Sequence, residues 1–175
     1  LKHPETTRIR DEYEDMKLLT DIVLAHNRRS IIVYPCSDHG YEGIIKAIDG
    51  VANKPGISVH RNIDAPDFWG LMAISSVMIG NSSAGLIETP YFRIPSINIG
   101  ERQKGRKHAE NVLHCGFGRI EITEALDKSL NNTVHLDAVA TCSQPFGDGL
   151  AWKRIIDVIK TTSFDDTFLD KRITY

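Results

Sequence analysis

Short β-branched runs alternate with helix-length amphipathic stretches along most of this chain, and that alternation leaves few folds open. The runs are Ser30-Ile31-Ile32-Val33-Tyr34, stopped by Pro35; Ile57-Ser58-Val59, opened by Pro55-Gly56; Val77-Met78-Ile79, before Gly80; and Ser96-Ile97-Asn98-Ile99, closed by Gly100. Asn111 to Cys115 is a weaker fifth. Between them apolar residues recur at helical spacing. One stripe runs from Asp11 to His26 through Tyr13, Met16, Leu19, Ile22 and Val23, and another from Tyr41 to Ala52 through Ile44, Ile45 and Ile48. A third helix is expected after Asp64, a good N-cap, with Pro66 in its first turn and Phe68, Leu71 and Met72 on its face. Ala84 to Phe92, Glu121 to Leu130, and a segment carrying Trp152, Ile155, Ile156 and Ile159 complete the set. The tail from Thr161 to Tyr175 reads as polar, dotted with Phe164, Phe168 and Leu169. Strands that are apolar throughout, rather than alternating, are buried on both faces, as in a parallel sheet covered by helices. The expectation is an α/β, Rossmann-like domain spanning residues 1–175, with no repeat, low-complexity segment or linker.

Composition removes several classes of function. With 21 Lys and Arg against 23 Asp and Glu, the net charge of −2 provides no basic field to attract nucleic acid or a membrane surface. No apolar run approaches the roughly 18 residues that a membrane span needs, and no secretory signal opens the chain. Three cysteines, Cys36, Cys115 and Cys142, make neither a CxxC pair nor an even framework, so free thiols in a reducing cytoplasm are expected. His3, Cys36-x-x-His39 and His114-Cys115 match no zinc spacing, and no metal or other cofactor is expected. GxGxxG, GxxxxGK[ST] and GxSxG are all missing, which removes the motif of dinucleotide oxidoreductases, P-loop kinases and α/β-hydrolases.

In parallel sheets, ligands bind beyond the carboxyl ends of the strands. The turn Gly80-Asn81-Ser82-Ser83-Ala84-Gly85 follows a strand, opens a helix, and is built of small residues that let a ligand approach backbone N–H groups. Orphan amides and the positive helix end suit a pyrophosphate there, although two serines also serve simply as caps. Glu88 lies five residues beyond Ser83, about 1.4 turns along at 3.6 residues per turn. A carboxylate so placed can accept both ribose hydroxyls, or stand on the surface as glutamates usually do. The next turn holds four basic residues in six, Arg102, Lys104, Arg106 and Lys107, able to neutralise phosphate or merely to be solvated. Gly147-Asp148-Gly149 needs no role beyond that of a turn.

Together these segments resemble the hydrolysing UDP-N-acetylglucosamine 2-epimerases. The resemblance is carried by Met78-Ile79-Gly80-Asn81-Ser82-Ser83-Ala84-Gly85-Leu86-Ile87-Glu88 and by Ile94-Pro95-Ser96-Ile97-Asn98-Ile99-Gly100-Glu101-Arg102-Gln103-Lys104-Gly105-Arg106. It extends to His3-Pro4-Glu5-Thr6-Thr7, Glu110-Asn111-Val112-Leu113 and Phe146-Gly147-Asp148-Gly149. It implies one half of a GT-B-type two-domain enzyme, with the nucleotide-sugar in the interdomain cleft and an N-terminal domain outside this chain. It further implies that Ser82, Ser83 and Gly85 bind the diphosphate, that Glu88 binds the ribose, and that Arg102 steadies the leaving group. His3 would line the cleft at the sugar end as the one local acid–base candidate, and the backbone of Asn62-Ile63 would hold the uracil. Asp38 matches an acidic position of the family, but Cys36 stands where an asparagine is usual. Non-hydrolysing relatives usually carry Asp-Ser-Gly-Gly at the phosphate turn, so Asn81-Ser82-Ser83-Ala84-Gly85 points to the hydrolysing branch.

The implied reaction converts UDP-GlcNAc and water to N-acetylmannosamine and UDP, the opening of sialic-acid synthesis, in a cytoplasmic homo-oligomer. The alternatives are an epimerase for a bacillosamine-type UDP-sugar, a GT-B glycosyltransferase, and a stand-alone nucleotide-binding module.

Overall fold

A computed structural model describes residues 1–5 and 10–170. Thr6 and Thr7 of the opening motif, and residues 171–175 of the tail, lie outside the described residues. The chain divides into two compact units, Leu1–Pro145 and Phe146–Tyr175.

In the first unit the elements run α1 (Glu12–Ala25), β1 (Ser30–Val33), α2 (Tyr41–Asp49), β2 (Ile57–His60), α3 (Ala65–Ile74), β3 (Met78–Gly80), α4 (Ala84–Ile87), α5 (Thr89–Phe92), β4 (Ser96–Ile99), β5 (Val112–Cys115), α6 (Arg119–Asn131) and α7 (Thr133–Thr141). Asp11 caps α1 by accepting the N–H groups of Tyr13 and Glu14. Asp64 takes the N-cap position of α3 with Pro66 in the first turn, but its side chain makes no capping bond. The helix expected over Ala84 to Phe92 breaks at Glu88 into two four-residue turns. Pro90 has no N–H to continue the ladder, so the chain restarts there. α7 was not foreseen; Asn132 opens it by accepting the His135 N–H at 2.8 Å.

All strand pairings are parallel, and the fold is α/β with helices on both faces. Met78 and Ile79 are neighbours in β3 and point to opposite sides. Ile79 joins the larger core, where α1, α2 and α6 close over Ile32, Ile97 and Ile99. Met78 joins the smaller one, with Met72, Ala84 and Ile94. Ile44, Ile97 and Ile122 are essentially inaccessible, and burying each stabilises the fold by about 1.5–3 kcal/mol.

Among the described residues the strands form two parallel sheets, β1-β2 and β3-β4-β5. The edges of β1 and β3 are separated by a cavity of about 680 Å³ lined by Ile31, Ile32, Val33, Val77, Met78 and Ile79, among others. Among the described residues no strand bridges it, so neither edge can complete its ladder.

In the second unit Gly147 and Gly149 take positive φ values of 104° and 76°, which only glycine adopts freely. Asp148 accepts the Leu150 N–H at 3.0 Å and an Arg154 N–H at 2.9 Å. The Arg154 bond comes first among the causes that pull the Asp148 carboxyl down to about 2. The turn leads into α8 (Ala151–Thr161), on which Trp152, Ile155, Ile156 and Ile159 are exposed, and α9 (Asp166–Leu169) follows.

Candidate functional site

Three turns at the carboxyl ends of β1, β3 and β4 meet the opening segment of the chain, and the meeting is held by hydrogen bonds. Asn81, 1% exposed, is the hub. Its Oδ1 accepts the His3 N–H at 2.6 Å, while its Nδ2 donates to the His3 carbonyl at 2.9 Å. Its own carbonyl accepts from Gln103 Nε2 at 2.8 Å and from Arg102 at 3.4 Å. A two-bond clasp of this kind fixes the segment's register as well as its distance.

The turn after β4 is held from beneath. Glu5, buried, accepts the N–H groups of Glu101 and Arg102 at 3.1 and 3.2 Å. That brings the Arg102 guanidinium between the Asn81 carbonyl and Asp38, whose Oδ2 it reaches at 3.5 Å. The other cations of this turn do not converge: Lys104 pairs with Glu101, and Arg106 and Lys107 are exposed.

The turn after β1 brings Cys36 and Asp38 against His3. The Cys36 N–H donates to His3 Nδ1 at 3.1 Å, and the Cys36 thiol lies 3.0 Å from both His3 Nδ1 and Asp38 Oδ2. The thiol hydrogen bond, followed by the Arg102 charge, lowers the Asp38 carboxyl below its usual range. Burial first, then the Arg102 charge, lowers the His3 imidazole to about 4. At neutral pH His3 is therefore uncharged. Because Nδ1 accepts the Cys36 N–H, the ring proton sits on Nε2. Burial and the bond to Asp38 raise the Cys36 thiol, so it stays protonated at neutral pH.

The turn after β3 offers donors. Ser82 is buried, and its hydroxyl meets the Ala84 N–H at 3.4 Å. Ser83 occupies the N-cap position of α4 with no side-chain cap. Among the described residues no acceptor meets the Ser82 and Ser83 amides, as expected for the first N–H groups of a helical turn. Because α4 is only four residues long, its dipole adds little. Gly85 is explained by packing, since a Cβ there would come within 2.6 Å of the Ser96 hydroxyl. Gly80 is more constrained: at φ 143° a Cβ would lie 1.9 Å from the Leu1 carbonyl.

The remaining expected residues stand apart from this cluster. Glu88 accepts the Trp69 indole N–H at 2.6 Å, which ties the break between α4 and α5 to α3. Asn62 is exposed, and Ile63 lines the cavity between β1 and β3. Sequence reasoning did not single out Glu5, Gln103 or the clasp of Asn81; buried polar residues inside a turn were the available signal. Among the described residues no group of three or more His, Cys, Asp or Glu is placed to hold a metal ion. No helix among them is long and apolar enough to cross a membrane.

This arrangement puts free amides, two hydroxyls and one guanidinium at one end of the strands, beside an uncharged imidazole donor. It is suited to an anion. Residues 1–160 match the family model described as UDP-N-acetylglucosamine 2-epimerase. A relative from Legionella pneumophila, named UDP-N,N'-diacetylbacillosamine 2-epimerase (hydrolyzing), is 28% identical over 173 residues, covering 99% of this chain and 45% of its own length. Among solved structures, a Staphylococcus aureus MnaA–UDP complex has a TM-score of 0.67 at 18% identity, covering 91% of this chain and 43% of that one. A Methanocaldococcus jannaschii UDP-GlcNAc 2-epimerase with UDP-GlcNAc and UDP has a TM-score of 0.64 at 15% identity, covering 87% and 42%. These two likenesses establish the shared fold. The chain spans about half the length of the curated relatives it matches.

Proposed function

The chain belongs to the UDP-N-acetylglucosamine 2-epimerase family, and we propose that it forms the diphosphate-holding half of a hydrolysing member that converts UDP-GlcNAc and water to N-acetylmannosamine and UDP. One observation carries the proposal: the turns after β1, β3 and β4 bring Asp38, Ser82 and Arg102 together around Asn81 and His3.

The reaction needs a proton removed from C2 and the C1–O bond broken toward UDP. Water then adds across the resulting 2-acetamidoglucal, hydroxyl to C1 and proton to C2 on the opposite face. Negative charge grows on the diphosphate as the C1–O bond opens. The amides of Ser82 and Ser83, their hydroxyls and Arg102 would take up that charge. Arg102 would exchange its long contact with Asp38 for a phosphate oxygen, a shorter and stronger charge-assisted bond. His3 is poorly suited to remove a proton, because its Nδ1 is occupied and its basicity is low. Its Nε2–H instead donates a hydrogen bond at the sugar end. The groups that move protons are assigned to the N-terminal half. Glu88 remains the ribose acceptor, with the Trp69 bond aiming its carboxylate, and the Asn62-Ile63 backbone the uracil contact. No cofactor is invoked.

The test is turnover of the complete enzyme in deuterated water. Equimolar free UDP and N-acetylmannosamine, with one deuterium at C2, is the expected product pattern; UDP-N-acetylmannosamine without free UDP would place the protein in the non-hydrolysing branch. The name of the Legionella relative, matched over 99% of this chain, favours a second reading in which a 2,4-diacetamido UDP-sugar is the substrate. Faster consumption of that sugar than of UDP-GlcNAc would select it.

A further inference from the structure

We propose that Trp69 sets the nucleoside specificity of this site. By tying down one oxygen of Glu88 it fixes the carboxylate to receive the adjacent hydroxyls of a ribose, so that a ribonucleoside diphosphate is selected over its 2′-deoxy counterpart. The inference rests on the function proposed above, with the diphosphate on the turn after β3 and the ribose at Glu88.

Glu88 is anchored at both ends. Its backbone lies at the break between α4 and α5, and the next residue, Thr89, is fixed in the interior. The Thr89 hydroxyl donates to the Gly85 carbonyl at 2.7 Å and accepts from Asn111 Nδ2 at 2.8 Å. Asn111 Nδ2 also donates to the Ile94 carbonyl at 2.8 Å, which ties the break to the chain entering β4. Neither Thr89 nor Asn111 is accessible to solvent. The far end of the Glu88 side chain is held by α3, through the Trp69 indole N–H on Oε2 at 2.6 Å. Among the described residues no other hydrogen bond or ion pair reaches this carboxylate.

Packing does not call for that bond. Trp69 is 47% exposed, whereas Phe68 and Met72 on the same helix turn into the smaller core. An indole N–H must find a protein partner when it is buried, but water satisfies it on so exposed a ring. A polar pair this open to solvent also adds little to the stability of the fold. What the bond changes is the freedom of Glu88. A glutamate loses much rotamer entropy when it is ordered. Here the torsions are set beforehand, and a group already arranged for its ligand binds it more tightly than one that must be arranged on binding.

The resulting acceptor matches what a ribose presents. A carboxylate has two oxygens with about four lone-pair sites, so one indole N–H leaves both oxygens able to accept. Two neighbouring ribose hydroxyls can then donate one to each oxygen, in charge-assisted bonds. A 2′-deoxyribose offers only one of them and leaves the second oxygen without its partner. A carboxylate free to rotate would turn to follow the remaining hydroxyl or water, and would discriminate less. Held by Trp69 it cannot, and a site built to bond a hydroxyl rejects the analogue that lacks it.

Calorimetric titration of the complete enzyme with UDP and with 2′-deoxy-UDP tests the proposal. The wild type is expected to prefer UDP by about 10-fold or more, the worth of one charge-assisted hydrogen bond. Trp69→Phe keeps an aromatic ring on α3 and removes the donor. It is expected to shrink that preference at least about 3-fold, by weakening UDP more than the deoxynucleotide. In a Glu88→Ala background the same substitution should leave the ratio unchanged, because the carboxylate through which it acts is gone. A smaller change in the ratio, or equal losses for both nucleotides, overturns the proposal while leaving the diphosphate site in place. So does a wild type that binds the two nucleotides equally, or a Trp69→Phe effect that persists without Glu88. No UDP binding by the folded wild type overturns the proposed function and this inference together. If Trp69→Phe does not fold, Trp69→Leu, also without a donor, takes its place. Failure of both to fold would assign Trp69 to the fold and overturn its role in specificity.

Discussion

His3 is held neutral by its surroundings, and the consequence is measurable. Its imidazole titrates near 4 in the folded chain against about 6.5 when free. Between those values the unfolded chain binds more protons, so stability rises with pH from about 4 to 6.5. Burial also lowers His114 and His135, so the assignment to His3 needs a variant. Urea unfolding of the His3→Asn protein at pH 4.5 and 6.5 should show a smaller difference than the wild type; an equal difference would remove His3 from the account. A second residue-scale expectation concerns Gly80. Gly80→Ala puts a methyl 1.9 Å from the Leu1 carbonyl at a φ of 143° and should cost about 2–4 kcal/mol in the same assay. A cost below about 0.5 kcal/mol, the range of ordinary surface substitutions, would mean that Leu1 does not lie against β3.

The opening segment is docked on α1 through a buried ion pair between Lys2 and Glu12, whose other oxygen accepts the Glu5 N–H at 2.7 Å. Removing one partner leaves a buried charge alone, so Glu12→Ala should lose about 3–5 kcal/mol. Lys2→Met with Glu12→Leu should recover most of it, since apolar replacements of similar size often match a buried pair. If the double variant is as unstable as the single one, the pair is not what docks the segment. The element scale is also where the sequence was most legible. Four β-branched runs and their punctuation by Pro35, Pro55-Gly56, Gly80 and Gly100 located β1 to β4 within a residue or so, because buried parallel strands leave an uninterrupted apolar signature. α7 is not legible in the sequence because Asn131-Asn132-Thr133 looks like any polar turn until the Asn132 side chain is seen to cap it. The break at Glu88 follows from Pro90 and was overlooked because Ala84 to Phe92 is otherwise a good helix. At the site, Ser82, Arg102, Asp38 and His3 were legible through resemblance and turn chemistry. Glu5, Gln103 and the Asn81 clasp were not, since a buried polar residue looks like any surface one until its partners, up to 97 positions away, are known.

On the proposed function, this chain carries the charge-stabilising part of the reaction, and proton transfer falls to an N-terminal half. A chain spanning 45% of its Legionella relative should therefore bind UDP yet release none from UDP-GlcNAc, as a coupled UDP assay would show. Measurable turnover by this chain alone would place the proton-moving groups here and revise the role of His3. Calorimetric titration of the folded chain with UDP asks whether the nucleotide sits on the turns after β3 and β4. Binding is predicted, with Arg102→Ala weakening it by about 10- to 100-fold, the worth of one charge-assisted hydrogen bond, and Ser82→Ala/Ser83→Ala weakening it as well. UDP binding that is indifferent to these substitutions, or no binding by a chain whose β4 amides prove it folded, would mean that these turns do not hold the diphosphate.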